Sequence, residues 1–175
     1  MKIDKKTIVH EDISKKIEWY EKCSRQKFPK SYIKFIKKYN MGVPITNCFD
    51  VGNTERMIVR FLGLLNDASN SPLGNYHIPV VESQIGERLT SNPDLIGCET
   101  IPIAELFAGD YVCLDYRDNK DNPEVCVWYH EESGDFEPVT RKVSNTFDEF
   151  LKMLRQENQS KGVKSYLQRF YSKIK

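Results

Sequence analysis

Apolar residues recur at helical spacing near both ends of the chain and at strand spacing through its middle, which predicts helices set around a sheet. In EDISKKIEWYEKCS (11–24), Ile13, Ile17, Tyr20 and Cys23 fall on one helical face among lysines and glutamates. The next segment, FPKSYIKFIKKYNMG (28–42), is marked more strongly. Pro29 suits a first helical turn, Tyr32, Ile33, Phe35, Ile36 and Tyr39 give a broad apolar face, and Asn40 to Gly42 supply a stop. Lysines 30, 34, 37 and 38 fill the opposite face.

From Val43 onward turns and short strands are expected. RMIVRFLGLL (56–65) reads as a strand, the polar stretch 66–75 as a loop, and 80–89 as a short helix weakened by Gly86. In GDYVCLDY (109–116) the residues alternate, with Tyr111, Cys113 and Asp115 on one face and Val112, Leu114 and Tyr116 on the other. RDNKDNP (117–123) is dense in turn residues, and EVCVWYHEE (124–132) alternates again, so the two runs predict a hairpin. FEPVTRKV (136–143) is a further strand candidate. Thr146 and Glu149 then fit a capping box before Phe147, Phe150, Leu151 and Leu154. The tail 157–175 places Val163, Tyr166, Leu167, Phe170 and Ile174 at helical spacing among basic residues. Helices, then strands, then helices point to an α+β fold. Residues 1–156 are expected to form one domain, a twisted and mostly antiparallel sheet flanked by helices, with 157–175 as an extra C-terminal helix packed on it.

Composition narrows the class. With 39% hydrophobic and 29% charged residues the chain is too apolar for disorder. No window approaches the run of about 18 apolar residues that a membrane span needs, and the N-terminus lacks a leader pattern. A cytoplasmic location is therefore expected. Five cysteines, odd in number and widely spaced, argue against a disulfide scaffold or a zinc knuckle. The net charge of +1 hides a division: 1–42 carries +7, 43–156 carries −10 and 157–175 carries +4. An acidic body with basic ends does not suit direct nucleic-acid binding and does suit a basic partner.

GDYVCLDYRDN (109–119) is the stretch richest in candidate chemistry. A mixed carboxylate and thiolate set suits no common metal, and Asp110 and Asp115 point to opposite faces. DNKDNPEV has Lys120 and Pro123 where a calcium loop needs an oxygen ligand and a glycine. Cys126 and His130 share a strand face but lie about 13 Å apart along it, too far for nucleophile and base. The sequence leaves open whether Cys113 meets His130 across the hairpin. No glycine-rich phosphate loop occurs. These readings predict no catalysis, no cofactor and no metal site.

Several pieces occur in one order: the Pro29–Asn40 helix, IPIAE at 101–105, AGDYVCLDYRD at 108–118, VWYHEE at 127–132 and TFDEFLKML at 146–154. This set resembles the SUKH superfamily, which includes the fungal cell-wall glucan-synthesis regulator and many bacterial proteins of its type. The resemblance covers about residues 11–155 and departs from the family pattern at YNMG, where Met41 stands in place of the first glycine of a pair. It implies a single α+β domain without enzymatic activity. For a bacterial member it implies an immunity protein that binds and neutralises a cognate polymorphic toxin, often a nuclease. For a relative of the fungal type it implies a regulatory scaffold or peptide-binding adaptor. A cationic nuclease site would meet the acidic residues Asp115, Asp118, Asp121, Glu124, Glu131 and Glu132, with Trp128, Tyr116 and Tyr129 as aromatic anchors.

Overall fold

A computed structural model describes residues 1–156. Two helices open the chain, α1 (Ser14–Ser24) and α2 (Lys30–Tyr39). Ile13, Ile17 and Tyr20 are buried as their spacing requires, while Cys23 and Trp19 stay exposed. Tyr32, Phe35 and Ile36 carry the inner face of α2. A two-residue strand β1 (Ile3–Asp4) pairs with β2 (Val43–Pro44) and ties the N-terminus beside the end of α2. That pair is too short to show a periodicity, and nothing in the sequence pattern marks it.

The centre is a six-stranded meander in the order β3 (Cys48–Val51), β4 (Thr54–Phe61), β5 (Thr100–Leu106), β6 (Tyr111–Asp115), β7 (Glu124–Trp128) and β8 (Thr140–Ser144). Every neighbouring pair is antiparallel. The expected strand over 56–65 begins and ends earlier, because Leu62 to Leu65 turn inward beyond the sheet, and β8 begins after Pro138. Helix α3 (Ile78–Ile85) lies between β4 and β5 in the chain, and Gly86 passes it into a 3₁₀ turn. Helix α4 (Phe147–Met153) closes the domain. At its start Thr146 Oγ1 accepts the Glu149 N–H at 3.2 Å, and Glu149 Oε2 reaches back to the Asn145 N–H at 3.0 Å.

The sheet curls until its edge strands β3 and β8 approach within 8 Å. Past α4 the chain pairs onto the outer edge of β3, with Cys48 and Arg155 exchanging backbone hydrogen bonds of 3.0 and 2.9 Å. One sheet face, with Val112, Leu114, Val125 and Val127, packs against the helices in the main core. Phe147 meets Tyr32 edge-on at 5.1 Å and Phe35 at 5.1 Å, and Phe35 meets Phe61 at 4.7 Å. Pairs of this geometry contribute about 0.5–1.5 kcal/mol each beyond their burial. The other face carries a smaller cluster of Cys113, Cys126 and Trp128 under Leu89.

The turn after α2 explains YNMG. Met41 adopts φ 57°, the left-handed conformation a glycine takes more easily, yet its side chain is fully buried. Arg60 Nη1 donates to its carbonyl at 2.6 Å. Beside it the Asn40 amide accepts the Leu64 N–H at 3.1 Å and donates to the Leu64 carbonyl at 2.7 Å, acting as a short strand partner. Gly63 is the residue that lets the two segments come this close: a Cβ there would sit 2.0 Å from Asn40 Oδ1.

The chain is thus α+β, a single domain built on an antiparallel sheet. The expected helix at 157–175 lies outside the described residues.

Candidate functional site

The β6–β7 hairpin brings the candidate residues into register. Asp115 faces Glu124, Cys113 faces Cys126 and Tyr111 faces Trp128. This settles the open thiol question, because Cys113 meets a second cysteine and not His130. His130 lies two residues beyond β7, exposed, with Nδ1 3.2 Å from Arg88 Nη1.

Between the strands, residues 116–123 make a tied turn. Asn119 Oδ1 accepts the Asp121 and Asn122 N–H groups, both at 3.0 Å. Tyr116 is buried, and its hydroxyl donates to the Lys27 carbonyl at 3.1 Å, anchoring the turn to the segment before α2. At the turn's root lies a depression of about 370 Å³ lined by Asp115, Asp118, Asn119, Glu124, Lys142 and Asn145 among others.

The carboxylates here differ in how far neighbouring cations answer them. Asp115 is 5% exposed and takes Arg117 Nε at 2.9 Å and the Arg117 N–H at 3.1 Å. That bonding raises the Arg117 pKa against the cost of its partial burial. Glu124 pairs with Lys142 across β7 and β8 at 2.5 Å, and this contact raises the Lys142 pKa. Asp118 and Asp121 are exposed, and neither has an ion pair among the described residues.

The remaining candidates sit at the opposite end of β7. Glu131 is exposed, and Glu132 stands 3.6 Å from Arg141. Five residues of strand separate this end from the 116–123 turn, about 13 Å or more. The structure therefore divides the acidic set into two places.

Trp128 does not reach the surface, which corrects its expected place among the partner contacts. It is fully buried, its Nε1 donates to the Arg88 carbonyl at 2.7 Å, and the Arg88 guanidinium lies 5.5 Å from its ring centroid. Arg88 also donates to the carbonyls of His130 and Ser133, so one side chain fixes the cover over the tryptophan. Asp115 is corrected in the same way, since it is buried and already ion-paired. Tyr116 and Tyr129 are interior as well. Tyr129 lies between two guanidiniums, Arg56 and Arg141, each 4.9 Å from the ring centroid.

Two features go beyond what the sequence pattern foresees. Asp110 is buried; its Oδ1 accepts the His130 N–H at 2.9 Å and its Oδ2 faces Arg56 Nη1 at 3.3 Å. Asp110 precedes β6, and alternation along the strand, which sets it opposite Asp115, does not foresee these partners. The role of Arg88 was equally hidden, lying about 40 residues from the strand it covers. Among the described residues no group of three or more His, Cys, Asp or Glu is placed to hold a metal, and no helix is long and apolar enough to cross a membrane.

No curated protein and no solved structure matches the chain. The family model SUKH_6, described as SMI1-KNR4 cell-wall, matches residues 14–151, from the first residue of α1 into α4 and across the whole hairpin. With that match spanning the sheet and the helices packed on it, the chain belongs to the SMI1-KNR4 cell-wall family, SUKH_6.

Proposed function

We propose that this protein is an immunity protein that neutralises a cognate toxin, of nuclease type, by stoichiometric binding and without catalysis. The observation that carries the reading is the 116–123 turn, where Asp118 and Asp121 project without an ion pair among the described residues. Asn119 and Tyr116 hold that turn in shape before any partner arrives. A nuclease cleft is cationic because it holds phosphates, and an acidic protein surface can occupy it with fast, salt-sensitive association. Preorganisation lowers the ordering cost of binding. Membership of the SUKH_6 family supports a protein–protein role.

Co-expression with a toxin domain encoded beside the gene tests this directly. Growth should be rescued by the wild-type chain and lost with Asp118→Lys/Asp121→Lys. In vitro the double reversal should weaken toxin binding most at low salt, where screening is least. Equal killing with and without the wild-type protein would sink the reading.

The family description, SMI1-KNR4 cell-wall, favours a second reading as a regulatory scaffold or peptide-binding adaptor. Affinity capture followed by mass spectrometry separates the two: a toxin among the captured proteins supports immunity, and cell-wall synthesis proteins support the scaffold.

A further inference from the structure

The register of β6 and β7 sets Cys113 directly opposite Cys126. Opposed residues of an antiparallel pair have Cα atoms about 4.5–5.5 Å apart, within the roughly 4.4–6.8 Å that a disulfide spans. Both side chains lie on the same sheet face in one buried cluster, where the Cys113 thiol donates to the Tyr111 carbonyl at 3.9 Å. Each is at most 1% exposed, in the small cluster with Leu89 and Trp128 and apart from the main core.

What covers them is short. The layer runs from the last turn of α3 through the 3₁₀ turn Gly86–Arg88 to Leu89, tied by the Trp128–Arg88 hydrogen bond, by the Arg88 side chain to the His130 and Ser133 carbonyls, and by the Phe136 N–H to the Glu87 carbonyl. Segments held by a few side chains, with no strand ladder, open locally at a free energy below that of global unfolding. A solute the size of hydrogen peroxide can then reach the sulfurs.

We propose that Cys113 and Cys126 form an oxidisable dithiol, which hydroperoxides convert to a cross-strand disulfide. One thiol takes an oxygen from hydrogen peroxide, becoming a sulfenic acid as the first water leaves. The second sulfur attacks that sulfenic sulfur, the S–S bond forms, and the hydroxyl departs as a second water. Two electrons pass from the sulfurs to the peroxide, and both thiol protons end in water. The contact with Cys113 and burial raise the Cys126 pKa well above its ordinary value, so the reaction is slower than at an exposed thiolate. The bond closes a ring from 113 to 126 that contains Asp118 and Asp121, so oxidation fixes the acidic turn. The inference goes beyond the binding reading and stands whether or not a toxin is the partner.

The test is hydrogen peroxide treatment of the full chain under native conditions, then denaturation in iodoacetamide and tryptic digestion without reduction. Cleavage after Arg117 and Lys120 parts the two cysteines, so joined peptides report the bond. The peptide holding Cys113 also holds Cys98, and a Cys98→Ser variant removes that ambiguity. The joined peptide should appear in the wild type and in Cys98→Ser, and vanish in Cys113→Ala and after dithiothreitol. Full alkylation of both Cys113 and Cys126 after peroxide overturns the proposal. So does their conversion to sulfinic acids with no joined peptide.

Discussion

Replacing Glu82 by glutamine should abolish a loss of stability that the wild-type chain undergoes between about pH 6.5 and 8. Glu82 on α3 is half-buried, and its Oε1 accepts the Tyr20 hydroxyl of α1 at 2.5 Å. Burial pushes its pKa up from 4.5 to about 8, only partly offset by that hydrogen bond. The folded state therefore holds a proton that the unfolded chain has released, and stability falls as pH rises from 4.5 towards 8. His77, which precedes α3, acts in the opposite sense. Its Nδ1 accepts the Leu65 N–H at 3.1 Å, and burial lowers its pKa from 6.5 to about 4, so its contribution is lost as pH falls below 6.5.

The two effects oppose one another in acid, whereas above pH 6.5 Glu82 acts without His77. Over that last interval, at about 1.4 kcal/mol per pH unit, the wild type should lose roughly 1.5–2 kcal/mol. Glutamine keeps the acceptor for Tyr20 and cannot ionise. Urea midpoints at pH 5, 6.5, 8 and 8.5 for both chains are the assay. Glu82→Gln should match the wild type within about 1 kcal/mol near pH 5 and exceed it by a growing margin as the pH rises to 8. Parallel pH profiles for the two chains would refute the assignment of a retained proton to Glu82.

At Met41 the usual order of small substitutions should invert. With φ at 57°, Met41→Ala keeps the backbone strain and loses the buried side chain, costing about 2–5 kcal/mol, while Met41→Gly relieves about 1 kcal/mol of that; an alanine variant with the higher urea midpoint would contradict it. Arg117→Ala should cost about 3 kcal/mol by leaving Asp115 buried and unpaired, and Asp115→Asn/Arg117→Met should recover most of the loss in the same melts. Gly63→Ala should cost more than about 3 kcal/mol, since the new Cβ displaces Asn40 from Leu64; unchanged stability would mean that Asn40 does not hold this junction.

Much of the fold was legible because burial imposes periodicity. The α1 and α2 faces, the β6–β7 alternation and the Thr146 cap each leave a local trace in the sequence, and each is present in the structure. The pieces that stayed hidden depend on long-range partners. β1 and β2 are two residues each, β3 is four, and Arg88 meets Trp128 from forty positions away. Met41 shows the same limit from the other side. A methionine in a left-handed turn contradicts local preference, and only the cavity it fills and the Arg60 bond to its carbonyl explain why it is tolerated.

Charge was the least legible property of the candidate site, for a physical reason. A run of acidic residues fixes how many carboxylates lie in a segment, whereas the field a partner meets depends on which of them already have cations. Asp115, Glu124 and Glu132 are answered by Arg117, Lys142 and Arg141, and these cations come from the hairpin itself or from β8. Close pairs project little field past a Debye length of about 8 Å. Outside those pairs the turn carries Asp121 and Asp118, the latter within the field of Arg117 and Lys142, and the far end of β7 carries Glu131. Reversing Asp115 or Glu124 would break an internal pair, so a lost affinity there would report on the fold as much as on the interface. Reversing Asp118 and Asp121 breaks no ion pair among the described residues, which makes those two positions the ones where a loss of binding speaks for the surface.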